Sequence, residues 1–297
     1  MRQGLLCRGV RYYAPTLIIF LFLSACSQQA CEVGDIGINN KDVSLRKKVS
    51  EIYYPDSEKD YVALAQLING YLSEEILKSL GHKVDNEILE AEAKRIDENT
   101  NAPETLKKIK NVYGSNRGAY IKTFIRIIYA ERVLYNEVFL RSKDIHQEQY
   151  FYAERLNKKA ILSPNSFQNI SKDMGLKIRR LKISAKEGII PYEKSRLKEA
   201  HRAVGIERAE RLINTISMIS QGDVYPDIIE WPEGYQVIRF IKKEKEYYII
   251  DSVSIPKREY DEWFWEKATK IPVRIYDSKL KEEFIKNVSW AKMVKVL

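Results

Sequence analysis

Histidine, cysteine and paired carboxylates are the side chains of this 297-residue sequence that could move protons, attack carbon or hold a metal. The three histidines, His82, His146 and His201, are scattered through helix-like segments. None has a second ligand four residues on, the spacing that places two ligands on one helix face. They read as exposed helix-end residues, and neither a metal nor a cofactor is expected. The acid pairs Glu74-Glu75 and Glu282-Glu283 lie in charged helical stretches and read as solvated. No nucleophile motif or phosphate loop occurs. The stretch "WPEGYQVIRF", Trp231 to Phe240, is different. Gly234 makes a turn, and Tyr235, Val237 and Phe240 have the composition of a half-buried strand. Gln236 stands among them. An amide there can accept and donate hydrogen bonds but has no proton that titrates.

Each cysteine has a separate reading. Arg2, Arg8 and Arg11 make a basic start without acids, followed by the apolar run Leu17 to Leu23 and then Ser24-Ala25-Cys26. The run is shorter than the roughly 20 apolar residues a bilayer span needs, and it suits a secretory signal. "LSAC" resembles a bacterial lipobox. That resemblance implies cleavage after residue 25 and a diacylglyceryl thioether on Cys26. Cys7 leaves with the signal, so Cys31 remains as the one thiol and no internal disulfide is available. Stability must come from a core, which 44% hydrophobic composition can build, in two units. The net charge of +9 drops by three with the signal arginines, and the 31% of charged residues read as solvated helix faces. Nucleic acid is not expected as a partner in an exported compartment.

The elements that must position these residues follow from periodicity. Residues 26–58 are polar, with Gly34, Gly37, Asn39 and Asn40, and read as a tether. From Asp60, the residues Tyr61, Leu64, Ala65, Ile68, Leu72 and Ile76 follow one helical face, and Gly81 is a stop. Asp85 caps a second helix through Ile88, Leu89, Ala93 and Ile96. Pro103 opens a third, "PETLKKIKNVY", that ends at Gly114. The fourth and longest is "AYIKTFIRIIYAERVLYNEVFL". The second half changes character. "GLKIRRLKISA" reads as a strand, Pro191 opens a helix to about Gly205, and Ile206 to Ser220 makes another. "DVYPDIIEW", "GYQVIRFI" and "EYYIIDSVSI" follow as strands. The fold class is α+β, with a mainly helical first half and a small α+β second half.

The helices between Asp60 and about Leu140, in the order "LINGYLSEEILKSLG", "KVDNEILEAEAKRI", "ETLKKIKNVYG" and "YIKTFIRIIYAERVLYNEVF", resemble the N-terminal chaperone domain of the SurA and PrsA class of exported foldases. The run "ISQGDVYPDIIEWPEGYQVIRF" resembles the end of a parvulin-type prolyl isomerase domain. Gly222-Asp223-Val224 and Gly234-Tyr235 stand where that family has its turn residues. By the same resemblance, Gln236 stands in place of the family's last histidine. If "LKIRRLKIS" is the first strand, Lys182 replaces the paired histidine. Ala209 and Leu212 fall where the family has the Met and Phe of its proline pocket. Prolyl isomerisation must lower an amide barrier of about 18–20 kcal/mol, and the substituted positions imply a degenerate, inactive domain with no catalytic residue.

"EYDEWFWEKATK" crowds four aromatics into a turn and a half. As a helix, Tyr260, Trp263 and Phe264 share a face, either as core or as a surface for apolar peptide. "IPVRIYDSKLKEEFI" reads as a strand and a capped last helix. The resemblance implies that this segment returns to the helical domain. The expected organisation is a signal peptide at 1–25, a tether at 26–58, the helical domain at 59–142, the parvulin-like domain at 143–245 and the returning segment at 246–297. The expected function is a lipid-anchored chaperone of the bacterial cell envelope whose partners are unfolded exported proteins. The alternatives are an active parvulin-type isomerase and a dedicated envelope scaffold lipoprotein. Nothing in the sequence specifies an oligomeric state.

Overall fold

The computed structural model describes residues 29–55, 59–98, 101–192 and 202–297. Cys26 and His201 lie outside the described residues. The architecture is mixed α+β, with a helical region and a small antiparallel sheet domain. The described residues up to Tyr135, together with Asp261–Leu297, make one unit, and Asn136–Tyr260 makes the second. No helix among the described residues is long and apolar enough to cross a membrane.

In the first unit the described part of the stretch read as a tether, residues 29–55, is folded. Residues Gln29–Val33 form β1, Ile36–Asn39 form β2 and Asn40–Tyr53 form α1. Asn39 and Asp42 close a reciprocal capping box at 2.8 and 2.9 Å, which starts α1. Cys31 is buried in β1, and burial pushes its thiol up to about 12, so it is inert at neutral pH. Helices α2 (Asp60–Ser79), α3 (Asn86–Asp97) and α4 (Pro103–Tyr113) follow. The Asp85 carboxylate accepts the Ile88 N–H at 3.0 Å, Pro103 occupies the first turn of α4, and Gly114 ends it at φ +55°. The long fourth helix is not uniform. It comprises α5 (Arg117–Tyr120), a π-helical turn Ile121–Ile125, α6 (Arg126–Val133) and a second π-helical turn Leu134–Phe139.

The helices of this unit pack closely. Leu89, Ala93, Ile109, Tyr113, Tyr120 and Phe124 form one buried cluster. Helix α2 meets α6 at Gly70, where a Cβ would stand 2.5 Å from Ile127 Cγ2. Glu74, expected in solvent, is fully buried and paired with Lys78 at 2.9 Å and Arg126 at 3.6 Å. Its position on the inner face of α2 decides this, and a buried carboxylate needs such partners. The C-terminal segment contributes α10 (Tyr260–Ala268), β8 (Val273–Ile275) and α11 (Ser278–Asn287). β8 pairs antiparallel with β1, giving a sheet of order β2-β1-β8.

The second unit begins with α7 (Gln147–Leu162) and α8 (Phe167–Asp173). Its strands are β3 (Ile178–Ser184), β4 (Gly188–Pro191), β5 (Ile229–Trp231), β6 (Gly234–Glu244) and β7 (Tyr247–Pro256). They form an antiparallel sheet in the order β4-β3-β7-β6-β5. Pro191 ends β4, and most of the helix expected from it, residues 193–201, lies outside the described residues. Helix α9, Arg202–Ile216, runs through Gly205, so the expected break there is absent. β7 is central to this sheet, although a boundary was expected at 245. The two faces are covered differently. Ala209, Leu212 and Ile216 of α9 pack on Ile183, Ile238 and Ile250. Ala153, Leu156 and Ala160 of α7, with Phe167 of α8, pack on Tyr235, Val237 and Val253. Both faces being buried explains why β6 reads as a nearly continuous apolar run.

Candidate functional site

The site is built at the β5–β6 hairpin. Trp231 pairs with Gly234 across Pro232-Glu233. Gly234 is required because a Cβ there would come within 2.5 Å of the Ile255 carbonyl on β7. Two residues along β6, Gln236 turns to the α9 face beside Ile238. Its Oε1 accepts the Trp231 Nε1–H at 2.7 Å, and its Nε2 donates to Ser252 Oγ on β7 at 2.6 Å. Gln236 is buried, so these bonds meet its need for partners. Arg208 and Arg211, one turn apart on α9, lie 5.0 and 4.7 Å from the Trp231 ring centroid. Arg208 is also bonded through both terminal nitrogens to the Glu233 carboxylate. Burial pushes that carboxyl up, but Arg208 outweighs it and holds Glu233 below the usual range.

The positions expected to accompany Gln236 do not form a site with it. Lys182 pairs with Ile249 of β7, and Gln236 pairs with Ser254. Side chains alternate along a strand, so Lys182 and Gln236 point to opposite faces of the sheet. The Lys182 ammonium lies over the Tyr192 ring at 4.6 Å. On the Gln236 face, β3 presents Arg179 and Leu181. Ala209 and Leu212 do lie on that face, but both are fully buried against Ile183, Ile238 and Ile250. They fill core. Trp263 and Phe264 are likewise buried, while Tyr260 is half-buried with its ring edge-on to Phe139 at 5.1 Å. These aromatics are packing residues, with Tyr260 the one that keeps partial exposure.

Three further groups matter here. Lys257 is buried, and its Nζ donates to Glu230 Oε1 at 2.7 Å and to the Leu140 carbonyl at 2.8 Å. It also lies 5.5 Å from the Tyr235 ring centroid. The Tyr235 hydroxyl is buried without a hydrogen-bond partner among the described residues. Burial first, and then the Glu230 charge, push it up to about 12. His146 was expected at a surface. It is instead fully buried at the start of α7. Its Nδ1 accepts the Arg258 N–H at 3.3 Å, so Nε2 carries the proton and donates to the Phe139 carbonyl at 2.7 Å. Burial holds its pKa below the ordinary histidine value, against the opposing pull of that carbonyl. Lys257 follows a strand in a polar stretch and His146 precedes a helix. Neither place signals burial in a single sequence.

Among the described residues no group of three or more His, Cys, Asp or Glu side chains is placed to hold a metal ion. What the arrangement can do is hold an indole rigidly beside fixed charges. Gln236 cannot supply a titrating proton, and both ring nitrogens of His146 are committed. No protein-family model and no curated protein matches the chain.

Proposed function

We propose that this chain is a membrane-tethered extracytoplasmic chaperone. It holds unfolded exported polypeptides and has no prolyl isomerase activity. The resemblance to SurA and PrsA foldases supplies the frame, with a helical chaperone-type domain and a parvulin-derived domain. The observation that carries the reading is a Gln236 amide committed to hydrogen bonds within the fold, in a molecule that leaves large apolar side chains in solvent. Gln236 is tied into the Trp231–Ser252 chain of hydrogen bonds. Tyr53 and Tyr54 of the first unit are 51% and 67% exposed, and Leu162 and Met218 of the second are 85% and 74% exposed. Such side chains give weak, many-sited contact with disordered clients, whose ordering entropy limits affinity.

The test is light scattering from an unrelated client diluted from denaturant. The mature protein slows aggregation when present in excess. No slowing at any excess would remove the general chaperone reading and favour a dedicated scaffold with one partner. The anchor is tested separately. Wild-type protein is expected to partition with membranes, and Cys26→Ser to lose processing at that site and to release from membranes after any alternative cleavage.

A further inference from the structure

We propose that a groove of the second unit, beside Trp231, is a subsite for the carboxylate end of a polypeptide whose last residue is apolar. The groove has a volume of about 510 Å³ and is lined by Leu140, Arg141, Glu230, Trp231, Pro232 and Lys257. Ligand pockets span about 300–1,000 Å³, so it has room for a terminal residue. Leu140, Trp231, Pro232 and the Lys257 stem supply its apolar lining. The indole is already fixed by its bond to Gln236 and by Arg208 and Arg211 against its ring. A wall held this way loses little freedom on binding.

Charge selects the occupant. Lys257 and Glu230 are bonded to each other and cancel. Arg141 is exposed and has no acid partner among the described residues, so one guanidinium is left over in the groove. Its planar fork matches a carboxylate through two parallel hydrogen bonds. A chain terminus carries its carboxylate on the same residue as its last side chain. One short ligand can therefore place an apolar group on Trp231 and an anion at Arg141. An interior apolar segment leaves Arg141 unmatched. This subsite rests on the chaperone reading for its ligand being a polypeptide.

The experiment uses the full mature chain and a fluorescent short peptide ending in Leu-Phe, prepared with a free carboxylate and as the amide. Binding is followed by anisotropy. The carboxylate form is expected to bind at least about tenfold more tightly than the amide, a difference of about 1.4 kcal/mol. Arg141→Gln, a substitution at an exposed position, is expected to erase that difference while the thermal melt stays unchanged. Equal binding of both forms, no binding of either, or a preference that survives in Arg141→Gln would overturn the subsite. Client aggregation is measured on the same preparations. Slowed aggregation without carboxylate preference removes the subsite and leaves the chaperone. Carboxylate preference without slowed aggregation keeps the subsite and removes the chaperone.

Discussion

Gln236 carries two obligations at once, because its amide bridges the Trp231 indole and Ser252. Replacing it with Leu leaves the half-buried Trp231 N–H and the buried Ser252 hydroxyl without their partner, and the unsatisfied buried hydroxyl alone costs about 1–3 kcal/mol. A lowered denaturant midpoint with an unchanged slope would show this. Placing histidine at the position should not create chemistry. In Gln236→His the new imidazole faces α9, while Lys182 stands on the other side of the sheet. A proline-peptide isomerisation assay is expected to read the uncatalysed rate for both wild type and Gln236→His. A wild-type enhancement lost in Gln236→Leu would make the amide catalytic. His146 sets a pH dependence. Its folded pKa is lowered, so above an unfolded value of about 6.5 it is neutral in both states and its contribution is complete. As pH falls through that value the unfolded chain takes up a proton that the folded protein refuses, and stability declines. Between about pH 7.5 and 5.5 the urea midpoint of wild type should fall further than that of His146→Gln. An equal fall would assign the dependence to other groups. Gln236 was legible as an unusual polar residue in an apolar strand. Its true partners were not, because strand parity depends on which residue of β7 faces which, and a bulge between Phe240 and Lys242 shifts that register.

Elements with local signals were legible in the sequence. The Asp85 cap, Pro103 at the start of α4 and Gly114 at its end each act within one turn, so a reader needs no tertiary contact to place them. β1 and β2 give no such signal. They are five and four residues long, and β1 gains its second neighbour from Val273–Ile275, far along the chain. Short strands stabilised by distant pairing look like polar linker when read alone. The π-helical turns were equally hidden, since Ile121–Ile125 and Leu134–Phe139 keep helical composition. The α2–α6 contact makes a sharp prediction at this scale. Gly70 lets the two helices approach, and the facing Ile127 is β-branched and stiff. Gly70→Ala improves intrinsic helix propensity by about 1 kcal/mol. Overpacking a tight core contact costs about 1–3 kcal/mol. Overpacking wins if the helices cannot separate, so the denaturant midpoint should drop. A midpoint that rises would show that this packing is loose enough to yield.

At the scale of the whole molecule, chain order and spatial order differ. The helical unit is interrupted after Tyr135 and completed by residues from Asp261 onward. Composition pointed to two units, and the resemblance implied a returning C-terminal segment, but neither could say how the return is made. It is made by pairing and packing together. β8 adds a strand to β1, and the terminal residues add a further bridge, Val273 to Val296. Helix α11 is capped by Asp277, whose carboxylate accepts the Leu280 N–H at 2.8 Å, and buries Phe284 completely. The Phe284 ring meets Trp290 edge-on at 5.3 Å, and Trp290 stacks on Trp265 at 5.1 Å. The segment is therefore structural framework for the first unit. Phe284→Ala should cost about 3–5 kcal/mol, the usual range for emptying a buried phenylalanine site. The loss should appear in tryptophan emission as well as in helical circular dichroism, because Trp263, Trp265 and Trp290 all belong to this unit and only Trp231 belongs to the second. If emission and dichroism keep their wild-type midpoints, the returning segment is an appendage and the helical unit holds itself together without it.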